Sequence, residues 1–248
     1  MSGHSKWSTI KRKKGALDAK RSKLFSKFLK DITIAVKEGG PDSDGNAKLR
    51  LAITNARGVS VPKDNIQRAV NKGADKDAAN FVETTYEGYA PNGIAIFVDC
   101  TTDNLQRTVA NIRSYFNKFG GSLGTNGSLG FLFDRKGEFV IPQGTLDPDD
   151  FEMEVIDAGA EDISLEEGFF YVTTAMEDFG PMMRKLEELG IEPESAKLER
   201  IPREMVKLDV DQARKVMKLI DLFEDDDDVQ NVYHNMELTD ELMEELDK

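Results

Sequence analysis

The chain has 248 residues, of which 39 % are hydrophobic and 32 % charged, and its formal net charge is −13. That length suits two or three domains with sizeable cores. It contains no uncharged apolar run long enough to span a membrane, and its single cysteine, Cys100, excludes an internal disulfide. The expected location is therefore the cytoplasm, with no membrane partner.

Charge is divided along the chain. Residues 1–77 hold 18 Lys/Arg against 8 Asp/Glu, a net of +10, and residues 78–248 hold 15 against 38, a net of −23. Such asymmetry points to one module that meets a polyanion and another that does not. The basic end opens MSGHSKWSTIKRKKGALDAKRSKLFSK, and the first thirty residues carry ten Lys/Arg and one Asp. No apolar segment follows it, so it does not read as a secretory signal. From Leu17 the pattern becomes helical. Leu17, Leu24, Phe25, Phe28, Leu29, Ile32, Ala35 and Val36 share one side at about 100° per residue. Lys20, Lys23, Lys27, Lys30 and Lys37 fall opposite, and Arg21 lies within the apolar arc. Gly39-Gly40-Pro41 ends the helix. A second helix is expected over 46–57, with Leu49, Ala52, Ile53 and Ala56 inward. A third is expected from Pro62 to Lys72, with Ile66, Ala69 and Val70 inward and Gly73 as its C-cap. Together they form a basic helical domain, 1–77, whose modest core calls for support from a neighbour. Lysine heads and arginine forks attract phosphate, and Trp7 can stack on a base or anchor the tail. The bland alternative is a solvated basic surface.

The acidic remainder alternates strands and helices. IAIFVDC, 94–100, reads as a buried strand, residues 104–119 as a helix, and FLF, 131–133, as a strand. Late in the chain MVKLDV reads as a strand, 211–223 as a helix and VQNVYHNM as the last strand. Between these lies a complete set: GEFVI, a helix over DPDDFEMEVIDAG, EDISLE, FFYVTT, a helix over FGPMMRKLEELG, and AKLERI. This βαββαβ order is the split βαβ, ferredoxin-like signature. The expected fold is α+β: an N-terminal three-helix module and two ferredoxin-like α/β domains, one inserted in the other. The ranges are 78–133 plus 201–240 for the discontinuous domain, 134–200 for the insert and 241–248 for an acidic tail. The glycine-rich FGGSLGTNGSLG follows a helix, so it reads as a turn rather than a dinucleotide loop, and no GK[ST] is present. The run EDDDDV, 224–229, lacks calcium-loop spacing and reads as a charged loop. With only His4 and His234, and Cys100 in an apolar strand, no nucleophile–base pair is evident. No enzyme, metal or cofactor is expected.

Several long segments carry a family resemblance. GHSKW (3–7), DAKRSKLFSK (18–27), VPKDNIQRAVNKG (61–73), YEGYAPNGIAIFVDCTTDN (86–104) and GGSLGTNGSLGFLFDRKG (120–137) closely resemble the YebC/TACO1 family. The resemblance implies an N-terminal helical domain followed by two α/β domains. Bacterial members are described as DNA-binding transcriptional regulators. Others, including mitochondrial relatives, resemble translation factors that act at the ribosome on proline-containing sequences. It implies no catalytic triad and no required cofactor. The matching basic motifs mark Lys6, Trp7, Lys11, Arg12, Lys13, Lys14, Lys20, Arg21, Lys23 and Lys27 as candidate contacts, with Lys63, Asp64 and Asn65 as a second patch. His4, Lys30 and Arg68 join the candidate set on charge and position. NAKLR at 46–50 departs from the family's NPRLR: Ala47 relaxes a turn constraint, and Lys48 replaces a planar guanidinium.

Three function classes follow. The first, a DNA-binding transcriptional regulator, is the preferred reading. A ribosome- and rRNA-associated translation factor is the alternative, and an adaptor for an acidic protein is the third. The partner is DNA or RNA, and a monomer is expected.

Overall fold

A computed structural model describes residues 18–75, 80–239 and 242, and side chains from Ser22 onward. The described chain forms two compact units, one of residues up to Lys23 with Ala79–Asp134 and Ile201–Lys248, the other of Leu24–Ala78 with Arg135–Arg200.

Three helices come first, and from Leu24 onward they belong to the second unit. α1, Asp18–Gly39, ends where Gly40 takes φ +86°, a left-handed conformation that a glycine adopts without steric cost, and its N–H returns to Val36 O at 2.7 Å. α2 spans Ala47–Gly58 and α3 Lys63–Ala74, with Pro62 before the first turn of α3. Ile32, Ala35 and Val36 of α1 pack on Leu49, Ala52 and Ala56 of α2 and on Ile66 and Ala69 of α3. The three predicted helices are thus present. Gly73, expected to cap α3, instead lies inside it, buried. A Cβ there would come within 2.6 Å of Thr33 O, so close helix approach, not termination, sets this glycine.

The same unit holds a sheet made from β4 (Phe133–Pro142), β5 (Ala160–Glu166), β6 (Phe169–Ala175) and β7 (Ser195–Pro202), in the order β5-β6-β4-β7. With helices α5 (Pro148–Asp157) and α6 (Phe179–Glu188), this is the ferredoxin-like order read from the sequence. Glu167 and Gly168, both at positive φ, make the two-residue turn between β5 and β6. Phe139, Ile141, Phe170 and Val172 face Phe151 and Val155 of α5 and Met182 and Leu186 of α6. The helical bundle leans on this sheet. Leu51 packs against its core, Asn55 Nδ2 donates to Ala196 O (2.9 Å), and Asn55 Oδ1 accepts from Ala196 N (2.8 Å).

In the other unit the sheet order is β3-β1-β2-β8, from β1 (Val82–Tyr89), β2 (Ala95–Thr102), β3 (Ser122–Leu123) and β8 (Val229–His234). Helices α4 (Leu105–Lys118) and α7 (Val210–Glu224) cover one face: Ile96, Val98 and Cys100 meet Ile112, Phe116, Val216, Ile220 and Phe223. Ala95 and Phe97 point the other way, onto Leu129, Phe133 and Tyr233. Burial on both faces explains the unbroken apolar run of β2.

Three readings change. β1, VETTYEGY, was not evident, because its polar residues and uneven burial give no two-residue alternation. FLF is not a separate strand. Gly130–Leu132 is a single 3-10 turn, closed by Leu132 N to Leu129 O at 2.9 Å, and Phe133 begins a strand that continues through GEFVI. MVKLDV forms only one isolated parallel bridge, Val206 with Met236, before α7 begins.

Candidate nucleic-acid interface

The basic module is organised by a buried side chain rather than by its cations. Asn46, 6 % exposed, precedes α2, and its Oδ1 accepts from Leu49 N at 3.0 Å as an N-cap. Its Nδ2 donates to Ala35 O (2.7 Å) and Gly40 O (2.9 Å), fastening the end of α1 to the start of α2. Thr33 Oγ1 donates to Leu29 O within α1 and reaches Ala69 O of α3. These contacts hold the bundle while leaving charged side chains at its periphery.

The predicted contact residues fall into groups. His4, Lys6, Trp7, Lys11, Arg12, Lys13 and Lys14 lie outside the described residues. Lys20 and Arg21 belong to the first turns of α1, and their side chains are likewise outside the described set. Lys23 is exposed, and its Nζ donates to Asp225 Oδ1 at 3.0 Å and Asp225 O at 3.2 Å. With side chains 46 % and 58 % exposed, that pair contributes about 0–1 kcal/mol. Lys27 and Lys30 are half-buried and engaged within the molecule. Lys63 is exposed in the first turn of α3, beside Asp64. Arg68 is exposed but folds along its own helix, donating to Asp64 O (3.2 Å) and Asn65 Oδ1. The structure therefore gives Lys23 and Lys63 solvent access, while Arg68 is committed to local acceptors. Sequence reading missed Arg50, which donates to Ser43 O (2.8 Å) and Asp44 O (2.7 Å) and braces the loop between α1 and α2.

The acidic run behaves differently from a loose charged loop. Asp228, 6 % exposed, accepts from Arg107 Nε and Nη2 at 2.8–3.1 Å and from Thr108 Oγ1 at 2.9 Å. Asp226 accepts from Tyr115 Oη (2.9 Å), Asn111 Nδ2 (3.2 Å) and the amide of Asp228 (2.9 Å). Burial, assisted by the bond to Asp226, pushes the Tyr115 hydroxyl up to about 12. Hydrogen bonds to Asp228 and Asp103 raise the Arg107 guanidinium, which stays charged. These two aspartates thus serve as internal acceptors, and among the described residues no His/Cys/Asp/Glu group is arranged to hold a metal ion.

The glycine-rich segment is also fixed. Glu87, 4 % exposed, accepts from Gly127 N through Oε1 and from Leu129 N through Oε2, both at 2.7 Å. The amides of Gly127 and Leu129 are thus already bound. Cys100 is buried, and its thiol faces Val98 O at 3.9 Å. His234 is buried on β8, opposite Ile96, whereas Cys100 lies opposite Val229. Burial pulls His234 down to about 4, so it is neutral near pH 7. The two are separated by four residues of register, about 13 Å, too far for a nucleophile and base to share a proton. No helix among the described residues is long and apolar enough to cross a membrane.

Comparison with known proteins covers nearly the whole chain. Residues 5–76 match the family model described as the TACO1/YebC protein N-terminal domain, and residues 81–236 match that of the TACO1/YebC second and third domain. A "Probable transcriptional regulatory protein" of Amoebophilus asiaticus is 52 % identical over 95 % of this chain and 98 % of its own length. One from Chlorobaculum tepidum is 50 % identical over 100 % of both chains. The crystal structure of a conserved hypothetical protein of Aquifex aeolicus is similar at TM-score 0.78 and 39 % identity, covering 91 % of this chain and 94 % of the other.

Proposed function

Since the chain belongs to the TACO1/YebC family, we propose that it is a nucleic-acid-binding regulator of gene expression, acting on DNA at the level of transcription. The observation that carries this reading is the segregation of charge, with ten Lys/Arg and one Asp in the first thirty residues of a chain whose net charge is −13. The name borne by relatives about half identical over their full length supports the regulatory role. In this reading the protein is a cytoplasmic monomer. Residues 1–77 act as the contact module, with 78–133 plus 201–240 and the insert 134–200 as its α/β body. His4, Lys6, Trp7, Lys11, Arg12, Lys13, Lys14, Lys20, Arg21, Lys23, Lys27, Lys30, Lys63 and Arg68 supply the cationic and stacking surface. Binding to phosphate of this kind is salt-dependent and carries affinity rather than sequence information.

The test is to crosslink the native protein in cells and recover DNA and RNA from the same sample. Promoter DNA peaks that vanish when Lys13, Lys20, Lys23 and Lys27 are changed to glutamate are the expected result. Crosslinks concentrated on ribosomal RNA and mapped to residues 1–30 would overturn the transcriptional reading in favour of action at the ribosome.

A further inference from the structure

Helix α4 has the wrong charge for its surroundings. It carries Arg107, Arg113 and Lys118 and no carboxylate, although residues 78–248 have a net charge of −23. Its inward face is Thr108, Ile112 and Phe116. Its outward face forms an open depression of about 620 Å³ lined by Ala110, Arg113, Ser114, Asn117 and Lys118. At 3.6 residues per turn these five positions occupy an arc of roughly 140°. Ala110, Ser114 and Asn117 lie along its middle, with Arg113 on one rim and Lys118 on the other. Small side chains make the floor, and long cationic ones make the walls.

The three cations are not equivalent. Arg107 is bound to Asp103 and Asp228. Arg113 and Lys118 take part in no ion pair among the described residues, although carboxylates outnumber cations more than two to one in this part of the chain. Lys118 Nζ sits over the Phe119 ring, 5.9 Å from its centroid. The two cations are five residues apart, on opposite sides of this arc.

We infer that this trough binds a phosphodiester backbone, as a second nucleic-acid contact lying within the acidic part of the protein. Arg113 offers a planar fork to two phosphate oxygens, and Lys118 offers a point charge to another phosphate of the same backbone. Ser114 and Asn117 supply neutral donors between them. The inference rests on the reading that the protein binds nucleic acid, and it adds a site that the basic N-terminal module does not contain.

The test uses the full-length protein with a fluorescently labelled DNA duplex and an RNA duplex of the same sequence, titrated over a series of salt concentrations. Arg113→Gln with Lys118→Gln removes two phosphate partners. Affinity should fall roughly tenfold, and the slope of log affinity against log salt should shrink by about 1.8 on DNA. Arg113→Gln alone is the gentler variant, and it should shrink the slope by about half as much. Both positions are exposed, so thermal unfolding should be unchanged. An unchanged slope in both α4 variants, with binding lost when Lys13, Lys20, Lys23 and Lys27 become glutamate, overturns the trough and leaves the proposed function standing. A slope that falls only in the α4 variants supports the trough and removes the N-terminal module as the contact surface. Absence of wild-type binding to either duplex overturns both.

Discussion

In the helical bundle the cations stand outside the core, and the ion pairs they make are half in water: Lys23 with Asp225 and Lys48 with Glu38 have side chains 46–58 % exposed. In the α/β sheets several carboxylates are almost wholly buried, Glu87, Glu138, Glu199 and Asp228 among them, and Glu87 and Asp228 serve as acceptors. The two regions therefore spend opposite charges on opposite tasks. The paired cations of the first, Lys23 and Lys48, remain at the surface, each beside a half-exposed carboxylate. Carboxylates in the second hold loops and strands in place, so the net charge of the acidic part overstates the negative charge it shows to a ligand.

Removing the half-buried cation between two buried carboxylates should sharpen this contrast most. Lys197 Nζ lies between Glu199, which it contacts directly, and Glu138 at 3.5 Å, and both glutamates are buried. Lys197→Met leaves two buried carboxylates facing each other and should cost about 3 kcal/mol in urea unfolding at pH 7. A loss near zero would show that water reaches them.

Acid should separate the regions next. Because the folded pKa of His234, about 4, lies below its ordinary 6.5, the unfolded chain takes up a proton that the folded chain refuses. The stability contributed by the neutral ring is fully present above about pH 6.5. It declines as pH falls toward 4 and amounts to about 3 kcal/mol in all. His234→Phe should flatten that part of the pH–stability curve, and an unaltered curve would remove His234 as its source.

Smaller effects come from single acceptors and caps. Asp228→Asn should cost about 2 kcal/mol, because it weakens the fork from Arg107 and the bond from Thr108. Asn46→Ala should cost slightly less, about 1–2 kcal/mol, from a lost N-cap and two orphaned carbonyls. Lys23→Ala belongs at the bottom, at less than about 0.5 kcal/mol in stability. If Lys23→Ala destabilised as much as Asp228→Asn, the division of labour between the two regions would fail.

How much of this was legible depends on range. The three helices, the stop at Gly40 and the βαββαβ set were readable because local periodicity and turn residues encode them. β1 was hidden by polar residues, and Gly73 was misread because its neighbour, Thr33, is forty residues away along the chain. The family motifs marked the basic end, and the lysines of α1 were visible as a face. What those lysines touch was not visible, since Lys23 meets Asp225 across 202 residues. The same holds for Arg107 with Asp228 and for Asn55 with Ala196, pairs 121 and 141 residues apart. The cations of α4 stand plainly in LQRTVANIRSYFNK. The trough between them required knowing which side of the helix the core consumes.

Asn55 has a consequence for the company the protein keeps. β7 ends its sheet, and the outer edge of such a strand invites a foreign strand to join it. The carboxamide of Asn55 answers both the N–H and the C=O of Ala196, as a neighbouring peptide would. A helix thus poses as the next strand and occupies the edge at Ala196 without extending the sheet. Asn55→Leu should leave the Leu51 contact in place but reopen that position of the edge, and self-association on mild heating, followed by light scattering, would report it.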